Sequence, residues 1–396
     1  MQVKLAVEKA YQGLTEKISV NWQDDVTLPN AKSWTTYDDT LTTRATFDFE
    51  EGVYRIESLL EHDVVSSLSM LKAFAVKVAQ SNQSQLADAD VFKQALEKEL
   101  TYANAKQNLV SFSPPTSPYV HTDDILANDT VAQIEALIEE AVLSNQSGNS
   151  AAAQVLIKTT PTKIDSVGSK LKKNASSNLL LSEADVAAAQ PSTSLIIQTN
   201  KSVNKFVLSI PFINGYQKKL LESKIDLVKE LANKYSLDVS LILAIIETES
   251  SFNPMAMSPV PAFGLMQLVP STAGVDAYEY LYGQRKVVEP DYLFDQNNNL
   301  KLGVTYIHLL SSRYLRGVQN TQSRLYCILA SYNTGVGNLA RTFVNKKSLQ
   351  LAITKINSLR AEQTYSHLMD NLPAQETKHY LQKVLARKKT YISFDL

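Results

Sequence analysis

The spacing of apolar residues changes about halfway along the chain. In the first half, alternating apolar residues predict strands over residues 41–49, 53–56 and 206–212. Helical spacing predicts amphipathic helices over residues 65–78, 91–109 and 131–143. Strands and helices interleaved in this way predict a mixed α+β domain, which we place over residues 1–210.

From residue 217 onward the pattern is helical. Predicted helices cover residues 220–235, 239–248, 300–313, 323–330, 348–356 and 376–385. The second of these segments is apolar almost all round, which indicates burial at the centre of a helical domain, and Asp238 is placed to cap its first turn. The predicted fold class is therefore α+β, with the mixed N-terminal domain followed by an all-helical domain over residues 211–396.

Positive and negative charges nearly balance. The 39 lysines and arginines and the 40 aspartates and glutamates give a formal net charge of -1, so bulk electrostatics do not favour a nucleic-acid partner. The single cysteine, Cys327, excludes an intramolecular disulfide and is interpreted as a small core residue. His308 and His379 lack the spacing of metal ligands, so we expect neither a metal nor a cofactor.

Neither a membrane-spanning helix nor an export signal is predicted. No stretch reaches about 18 uninterrupted apolar residues. The first residues carry charges where a signal peptide has its apolar core, and no cysteine near the start offers a site for a lipid. The expectation is that the protein is made without a signal, or that a signal was removed from this chain.

Glu249 is the candidate acid–base residue. It ends the apolar helical segment, and the residues three, four and seven positions before it are Ile246, Ile245 and Ile242, whereas Glu247 follows a smaller and more mixed surface. Apolar neighbours and the helix dipole both favour the protonated acid, which is the proton donor that glycosidic cleavage needs. On position alone, an ordinary solvated carboxylate is the more common outcome.

A second acid is missing from the following segment. Residues 250–275 contain no aspartate or glutamate. Glycosidases of the usual kind place a second carboxylate across the scissile bond. A distant acid could fold back into the site, so a single-acid and a two-acid mechanism both stay open.

Five ordered motifs resemble the lytic transglycosylases of the soluble-lytic-transglycosylase and goose-lysozyme-like superfamily. They are ESSFNP with AMS (249–258), GLMQ (264–267), NLxxGxxY (299–306), ASYNTG (330–335) and ETxxY (376–380). Within that superfamily the chain is most similar to the membrane-bound lytic murein transglycosylase C subfamily, with a looser match at residues 32–52 and 210–212. The resemblance implies a lysozyme-like fold for the helical domain.

The resemblance also implies a reaction and a site. Glu249 protonates the bond between N-acetylmuramic acid and N-acetylglucosamine, then takes a proton from the muramoyl 6-hydroxyl, which closes to a 1,6-anhydromuramoyl end. The substrate-binding residues that it implies are Ser258, Gln267, Tyr306, Tyr332, Asn333, Glu376 and Tyr380.

Each supporting residue also has a purely structural interpretation. Gln267 and Asn333 are candidates for buried amides that bind backbone, and Tyr306 for a core aromatic. Ser258 lies in a proline-rich loop, where turn capping is common. Glu376 and Tyr380 lie one helical turn apart and are candidates for a structural pair. The basic run at residues 387–389 is interpreted as a solvated helix end.

The partners and location follow from the resemblance. It implies peptidoglycan glycan strands as the substrate and the periplasmic side of the bacterial cell envelope as the location. An envelope protein is a candidate partner of residues 1–210, and membrane contact is expected only if a lipid anchor was removed. Two alternatives remain, namely a muramidase-type hydrolase on the same fold and a non-catalytic glycan-binding module, which would not need to keep Glu249.

Overall fold

The computed structural model of the chain describes residues 2–60, 63–102, 109–110, 122–146, 193–199 and 202–395. Contacts group the described residues into two compact units. One holds most residues up to Lys219, and the other begins at Leu220 and includes the short segment 109–110. The boundary that we place at residues 210 and 211 stays a prediction.

The N-terminal unit is built on a five-stranded antiparallel sheet. Its strands are β1 (Ser33–Tyr37), β2 (Thr43–Asp48), β3 (Val53–Leu59), β5 (Ser194–Thr199) and β6 (Asn204–Pro211), in the order β1-β2-β3-β6-β5. Its helices are α1 (Gln2–Trp22), α2 (Val64–Ala79), α3 (Gln83–Asp88), α4 (Val91–Tyr102) and α5 (Thr130–Gln146). The three predicted strands and the helices at 65–78 and 131–143 are confirmed, whereas α1, α3, β1 and β5 were not predicted.

The predicted helix over residues 91–109 is wrong at its C-terminal end. Helix α4 ends at Tyr102, residues 103–108 lie outside the described part, and Leu109–Val110 form the short strand β4. This strand pairs in parallel with β7 (Val287–Val288) of the C-terminal unit. Apolar spacing in a short segment does not distinguish a strand from a helix, so the predicted helix was extended to residue 109.

Three buried charges, Arg44, Glu57 and Lys205, and the partly exposed Asp25 connect the sheet to the segment after α1. The Arg44 guanidinium donates to Glu57 at 2.6 Å and to Asp25 at 2.9 Å, while the Lys205 ammonium lies 2.6 Å from Asp25 and 2.5 Å from Glu57. The guanidinium also lies 4.0 Å from the ring centroid of Trp22. Two positive and two negative charges therefore compensate one another where water is excluded.

This cluster lowers the pKa values of both its carboxyl groups. Burial alone would raise the pKa of Asp25, but the hydrogen bond from Lys205 and the charge of Arg44 outweigh it. Burial alone would also raise the pKa of Glu57, but the charge of Arg44 and its hydrogen bond lower that pKa by more. A carboxyl group whose pKa is lower in the folded state stabilises that state above its unfolded pKa, and the contribution is lost as the pH falls.

We therefore expect the N-terminal unit to lose stability in acid. Unfolded carboxyl groups titrate near pH ~4, so the free energy of unfolding should hold its neutral value down to about pH 5 and then decline. The chain has two tryptophans, Trp22 and Trp34, both in this unit, so their fluorescence during urea unfolding measures it selectively. A free energy of unfolding that stays constant from neutral pH to about pH 3 would contradict the assignment.

The C-terminal unit is helical apart from the paired strands β4 and β7. Its helices are α6 (Tyr216–Glu222, which begins just before the unit), α7 (Ile225–Tyr235), α8 (Val239–Ser250), α9 (Val275–Tyr282), α10 (Pro290–Phe294), α11 (Gln296–Leu309), α12 (Thr321–Thr334), α13 (Val336–Val344), α14 (Leu349–Asn357), α15 (Ala361–Asn371) and α16 (Gln375–Thr390). The predicted α+β class, with a mixed N-terminal region followed by a helical domain, is confirmed. No described helix is long and apolar enough to cross a membrane.

Two helix predictions in this unit need correction. The single helix predicted over residues 220–235 is broken into α6 and α7 near Lys224, whose ammonium donates back to the Leu220 carbonyl. The helix predicted over residues 300–313 begins earlier, at Gln296, and its end widens into a π-helical turn at Leu310–Tyr314. The predicted central helix is α8, and its residues from Ile242 to Ile246 are fully buried.

Candidate active site

Glu249 lies at the C-terminal end of the central helix α8. The three isoleucines before it are 0% exposed, whereas Glu249 itself is partly exposed. The helix stops directly afterwards, because Ser251 and Phe252 adopt left-handed backbone conformations with φ of 50° and 64°. The carboxyl group is therefore carried by a rigid, buried helix and lies where the chain leaves it.

Glu247 has a different environment from Glu249. Its carboxylate lies 3.2 Å from the Arg387 guanidinium and accepts a hydrogen bond of 2.9 Å from the Tyr391 hydroxyl. Arg387 also donates to the Thr248 hydroxyl at 3.0 Å. These contacts engage Glu247 in a structural role at the end of α8, so it serves as a matched control for Glu249.

Two tyrosines face the Glu249 carboxyl group. Burial raises the pKa of Tyr380 well above its ordinary value, and the charge of Glu249 and its interaction with the phenol raise it further. Burial and the charge of Glu249 also raise the pKa of Tyr332. The Tyr332 hydroxyl donates to the Met266 carbonyl at 2.8 Å, whereas the buried Tyr380 hydroxyl makes no hydrogen bond of ordinary geometry. Both phenols therefore stay protonated beside the carboxylate.

Tyr306 packs against Tyr332 in this aromatic group. Its ring centroid lies 5.7 Å from that of Tyr332, and its side chain is 9% exposed. Burial, followed by the charge of Asp276, raises the pKa of its phenol. The structure therefore brings Glu249, Tyr306, Tyr332 and Tyr380 together from helices α8, α11, α12 and α16.

Asn299 organises the loop that carries Gln267. The Asn299 amide donates to the carbonyls of Phe263 and Leu293 at 2.8 and 2.7 Å and accepts from the Met266 amide at 2.8 Å. Gln267 itself is partly exposed, has a φ of 45°, and donates from its side chain to the Gly264 carbonyl at 3.1 Å. Since the neighbouring Met266 carbonyl binds Tyr332, this loop is fixed against the aromatic group.

Glycine is required at position 264 of this loop. Its φ is +72°, and a Cβ atom there would lie 2.3 Å from both the Asn299 amide nitrogen and the Leu293 carbonyl oxygen. The loop therefore passes too close to α11 for any larger residue.

We expect Gly264→Ala to destabilise the C-terminal unit by at least about 2 kcal/mol, because it adds backbone strain and a steric overlap. Scanning calorimetry of the full chain measures the change. Gly337→Ala is the matched control, since its Cβ would meet nothing closer than 4.0 Å and alanine favours a helix. Equal melting temperatures for the two variants would show that the loop tolerates a side chain here.

The remaining predicted residues are Ser258, Asn333 and Glu376. Ser258 is partly exposed and its hydroxyl donates to the Val260 carbonyl, which is a turn-capping contact. Asn333 is partly exposed, and its Oδ1 accepts a 2.7 Å hydrogen bond from the Thr377 hydroxyl. Glu376 is exposed in the first turn of α16, one turn before Tyr380.

The basic run at residues 387–389 is not a simple solvated helix end. Arg387 binds the end of α8 as described, and Lys388 lies 2.8 Å from Asp238. Asp238 stands at the N-cap of α8 as predicted, but its side chain does not cap the helix. Asp395 takes that role, accepting from the Ser240 amide at 2.7 Å. The C-terminal segment therefore supports both ends of the helix that carries Glu249.

Cys327 is a fully buried core residue, as predicted. Burial raises the pKa of its thiol to about 12, so the thiolate is not formed at neutral pH. The residues to which the sequence assigned no role at the site are Asn299, Thr377, Arg387, Tyr391 and Asp395. The first two fall inside the quoted motifs, whereas nothing in the local pattern marks the other three.

Comparison with known proteins finds similarity to lytic transglycosylases in the part of the chain that carries this site. Residues 226–353 match the family model described as the transglycosylase SLT domain. Membrane-bound lytic murein transglycosylase C from Haemophilus influenzae (strain PittEE) is 38% identical over 184 residues, covering 46% of this chain and 51% of that protein. The protein of the same name from Serratia proteamaculans (strain 568) is 37% identical over 186 residues, covering 47% and 51%. The chain thus spans about half the length of these curated relatives.

Solved structures give weaker likenesses. The lytic transglycosylase Slt of Pseudomonas aeruginosa is 25% identical with a TM-score of 0.30, covering 41% of this chain and 23% of that one. The 70 kDa soluble lytic transglycosylase of Escherichia coli is 24% identical with a TM-score of 0.32, covering 43% and 24%. The sequence match to the transglycosylase SLT domain covers residues 226–353, which include Glu249, Tyr306 and Tyr332.

Proposed function

We propose that this protein is a peptidoglycan lytic transglycosylase that cleaves the bond between N-acetylmuramic acid and N-acetylglucosamine. The observation that carries the proposal is Glu249, a carboxyl group that lies within the SLT domain match at the end of a buried helix and is faced by Tyr332 and Tyr380. The curated relatives are named as lytic murein transglycosylases, which supports the same activity here.

Glu249 acts first as an acid. Its carboxyl proton passes to the glycosidic oxygen as the bond to the muramoyl anomeric carbon breaks, so N-acetylglucosamine leaves with a neutral hydroxyl. Positive charge develops on the muramoyl ring, and Glu249 is left as a carboxylate beside it. The protonated phenols of Tyr332 and Tyr380 are neutral hydrogen-bonding groups at this place, and they add no charge to the site.

Glu249 then acts as a base. Its carboxylate takes the proton of the muramoyl 6-hydroxyl, and the oxygen closes on the anomeric carbon to give the 1,6-anhydromuramoyl end. Glu249 is again protonated, so the cycle balances without water. Ring closure within one sugar has a large effective concentration, and the aromatic side chains around Glu249 favour it over attack by solvent.

The sugar-binding roles are part of the same proposal. Ser258 and Gln267 bind the sugar and its N-acetyl group, and Asn333 lies beside Tyr332. Tyr306, Glu376 and Tyr380 line the groove for the neighbouring saccharides. Tyrosine rings suit this task, because a sugar has an apolar face and polar edges.

The contacts of Asp276 support a single-acid mechanism. Asp276 is the first carboxyl group after the acid-free segment 250–275. It accepts a 2.8 Å hydrogen bond from Tyr314 and lies 3.3 Å from Arg285, and its charge acts on Tyr306. A hydrolytic pair would instead hold the two carboxyl groups across the scissile bond.

The test is the chemistry of the new chain ends. Purified sacculi are digested, and soluble saccharide and new reducing ends are measured in parallel. A lytic transglycosylase releases saccharide without new reducing ends, which is the expected result. Release with one reducing end per cleavage would make the protein a muramidase-type hydrolase, and sacculus binding without release would make it a glycan-binding module.

A further inference from the structure

Asn333 is held by one specific hydrogen bond from a neighbouring helix. The Thr377 hydroxyl donates to Asn333 Oδ1 at 2.7 Å. Thr377 is 2% exposed and lies in the first turn of α16, whereas Asn333 is partly exposed near the end of α12. A buried hydroxyl on one helix therefore reaches the amide of a residue that borders the site.

This hydrogen bond determines whether the oxygen or the nitrogen of the Asn333 amide remains available to another group. An asparagine side chain presents one acceptor and one donor group, and a half-turn about its last bond exchanges them. Thr377 has a single hydroxyl proton, and it goes to the oxygen. The amide nitrogen remains, and no described residue accepts a hydrogen bond from it in the structure.

The position of Thr377 relates this bond to the reaction. Three residues later on the same face of α16 lies Tyr380, which faces Glu249. The residue before Asn333 on α12 is Tyr332, which also faces Glu249. The Asn333 amide is therefore held by the helix that carries Tyr380, and it follows Tyr332 directly in the sequence.

We propose that Thr377 is a positioning residue that makes Asn333 a hydrogen-bond donor to the substrate. The inference rests on the proposed function and deepens it, because it defines the group that Asn333 recognises. That group is an acceptor oxygen on the saccharide, such as the carbonyl of an N-acetyl substituent or a ring hydroxyl oxygen. Without the Thr377 hydroxyl the amide is free to turn and present its oxygen, which repels such an acceptor.

Three variants test the role of the hydroxyl. Thr377→Val keeps the shape of the side chain and removes its proton, and we expect kcat/KM for soluble glycan to fall about 3- to 10-fold, the range for one lost hydrogen bond. Thr377→Ser keeps the hydroxyl and should stay within about 2-fold of the parent. Thr364→Val is the matched control, because Thr364 is a buried threonine of α15 outside the site.

A double-mutant cycle separates positioning from a stability effect. Asn333→Ala removes the amide, so Thr377→Val should cost nothing further in that background if Thr377 acts only through Asn333. Additive losses would overturn the proposal and make Thr377 an ordinary core residue. A Thr377→Ser variant as impaired as Thr377→Val would also overturn it.

The products that the parent protein releases distinguish a failure of this inference from a failure of the proposed function. If the parent and Thr364→Val release anhydro products while the cycle is additive, only the positioning role fails. If the parent releases no product, or products with reducing ends, the proposed function fails and this inference falls with it.

Discussion

The Glu249→Gln variant is expected to lower kcat about 10²- to 10⁴-fold relative to the parent protein, the range for removing a general acid–base group. Glutamine keeps the shape of the side chain but can neither give its proton to the glycosidic oxygen nor take one from the 6-hydroxyl. Both steps of the proposed cycle fail together. Release of soluble saccharide from purified sacculi measures the loss, and an unchanged melting temperature shows that the fold is kept.

Glu247→Gln is the matched control for this prediction. It changes the same residue type in the same turn of α8, but Glu247 is bound by Arg387 and Tyr391. We expect its activity to stay within about 10-fold of the parent, with some loss of stability because a charged contact is weakened. An active Glu249→Gln variant, or an inactive but folded Glu247→Gln variant, would mean that the acid has been assigned to the wrong residue.

The second large effect is expected in the N-terminal unit. Arg44→Met should lower its free energy of unfolding by about 3–5 kcal/mol, the cost of removing one partner from a buried charge network. Two carboxylates would remain, Asp25 and Glu57, with Lys205 as the one nearby cation of the cluster. Urea unfolding followed by tryptophan fluorescence measures the change, since both tryptophans lie in this unit.

Arg55→Met is the control for Arg44→Met. Arg55 lies on β3 and pairs with Glu51, but these side chains are 33% and 59% exposed. An exposed pair of this kind contributes about 0–1 kcal/mol, so the variant should unfold close to the parent. If the two variants lost the same free energy of unfolding, the buried cluster would have no special part in stability.

The central helix shows how much local sequence can predict. Its apolar run identifies residues 239–248 as a buried helix, and the structure has α8 at Val239–Ser250. Helical spacing also separates Glu249 from Glu247, because it gives the two carboxyl groups different neighbours. The period of apolar residues and the type of each side chain are local properties of the sequence. The sequence alone was therefore sufficient for these inferences.

The contacts that support the site depend on distant residues. Arg387 was interpreted as solvated because its own neighbours are polar, yet it binds Thr248, 139 positions earlier in the sequence. The capping of α8 by Asp395 is equally remote, and a local pattern predicts Asp238 instead. The buried charges of Arg44 and Lys205 belong to strands joined only in the folded sheet. Tertiary packing determines these contacts, so local sequence spacing does not predict them.

The most direct test of the account is the mass of the muropeptides that the protein releases in water enriched in oxygen-18. Intramolecular closure predicts products lighter by one water than hydrolytic muropeptides, without the heavy isotope, and absent when the Glu249→Gln variant is used. Products that carry one heavy oxygen at a reducing end would contradict the account, because solvent rather than the muramoyl 6-hydroxyl would then have attacked the anomeric carbon.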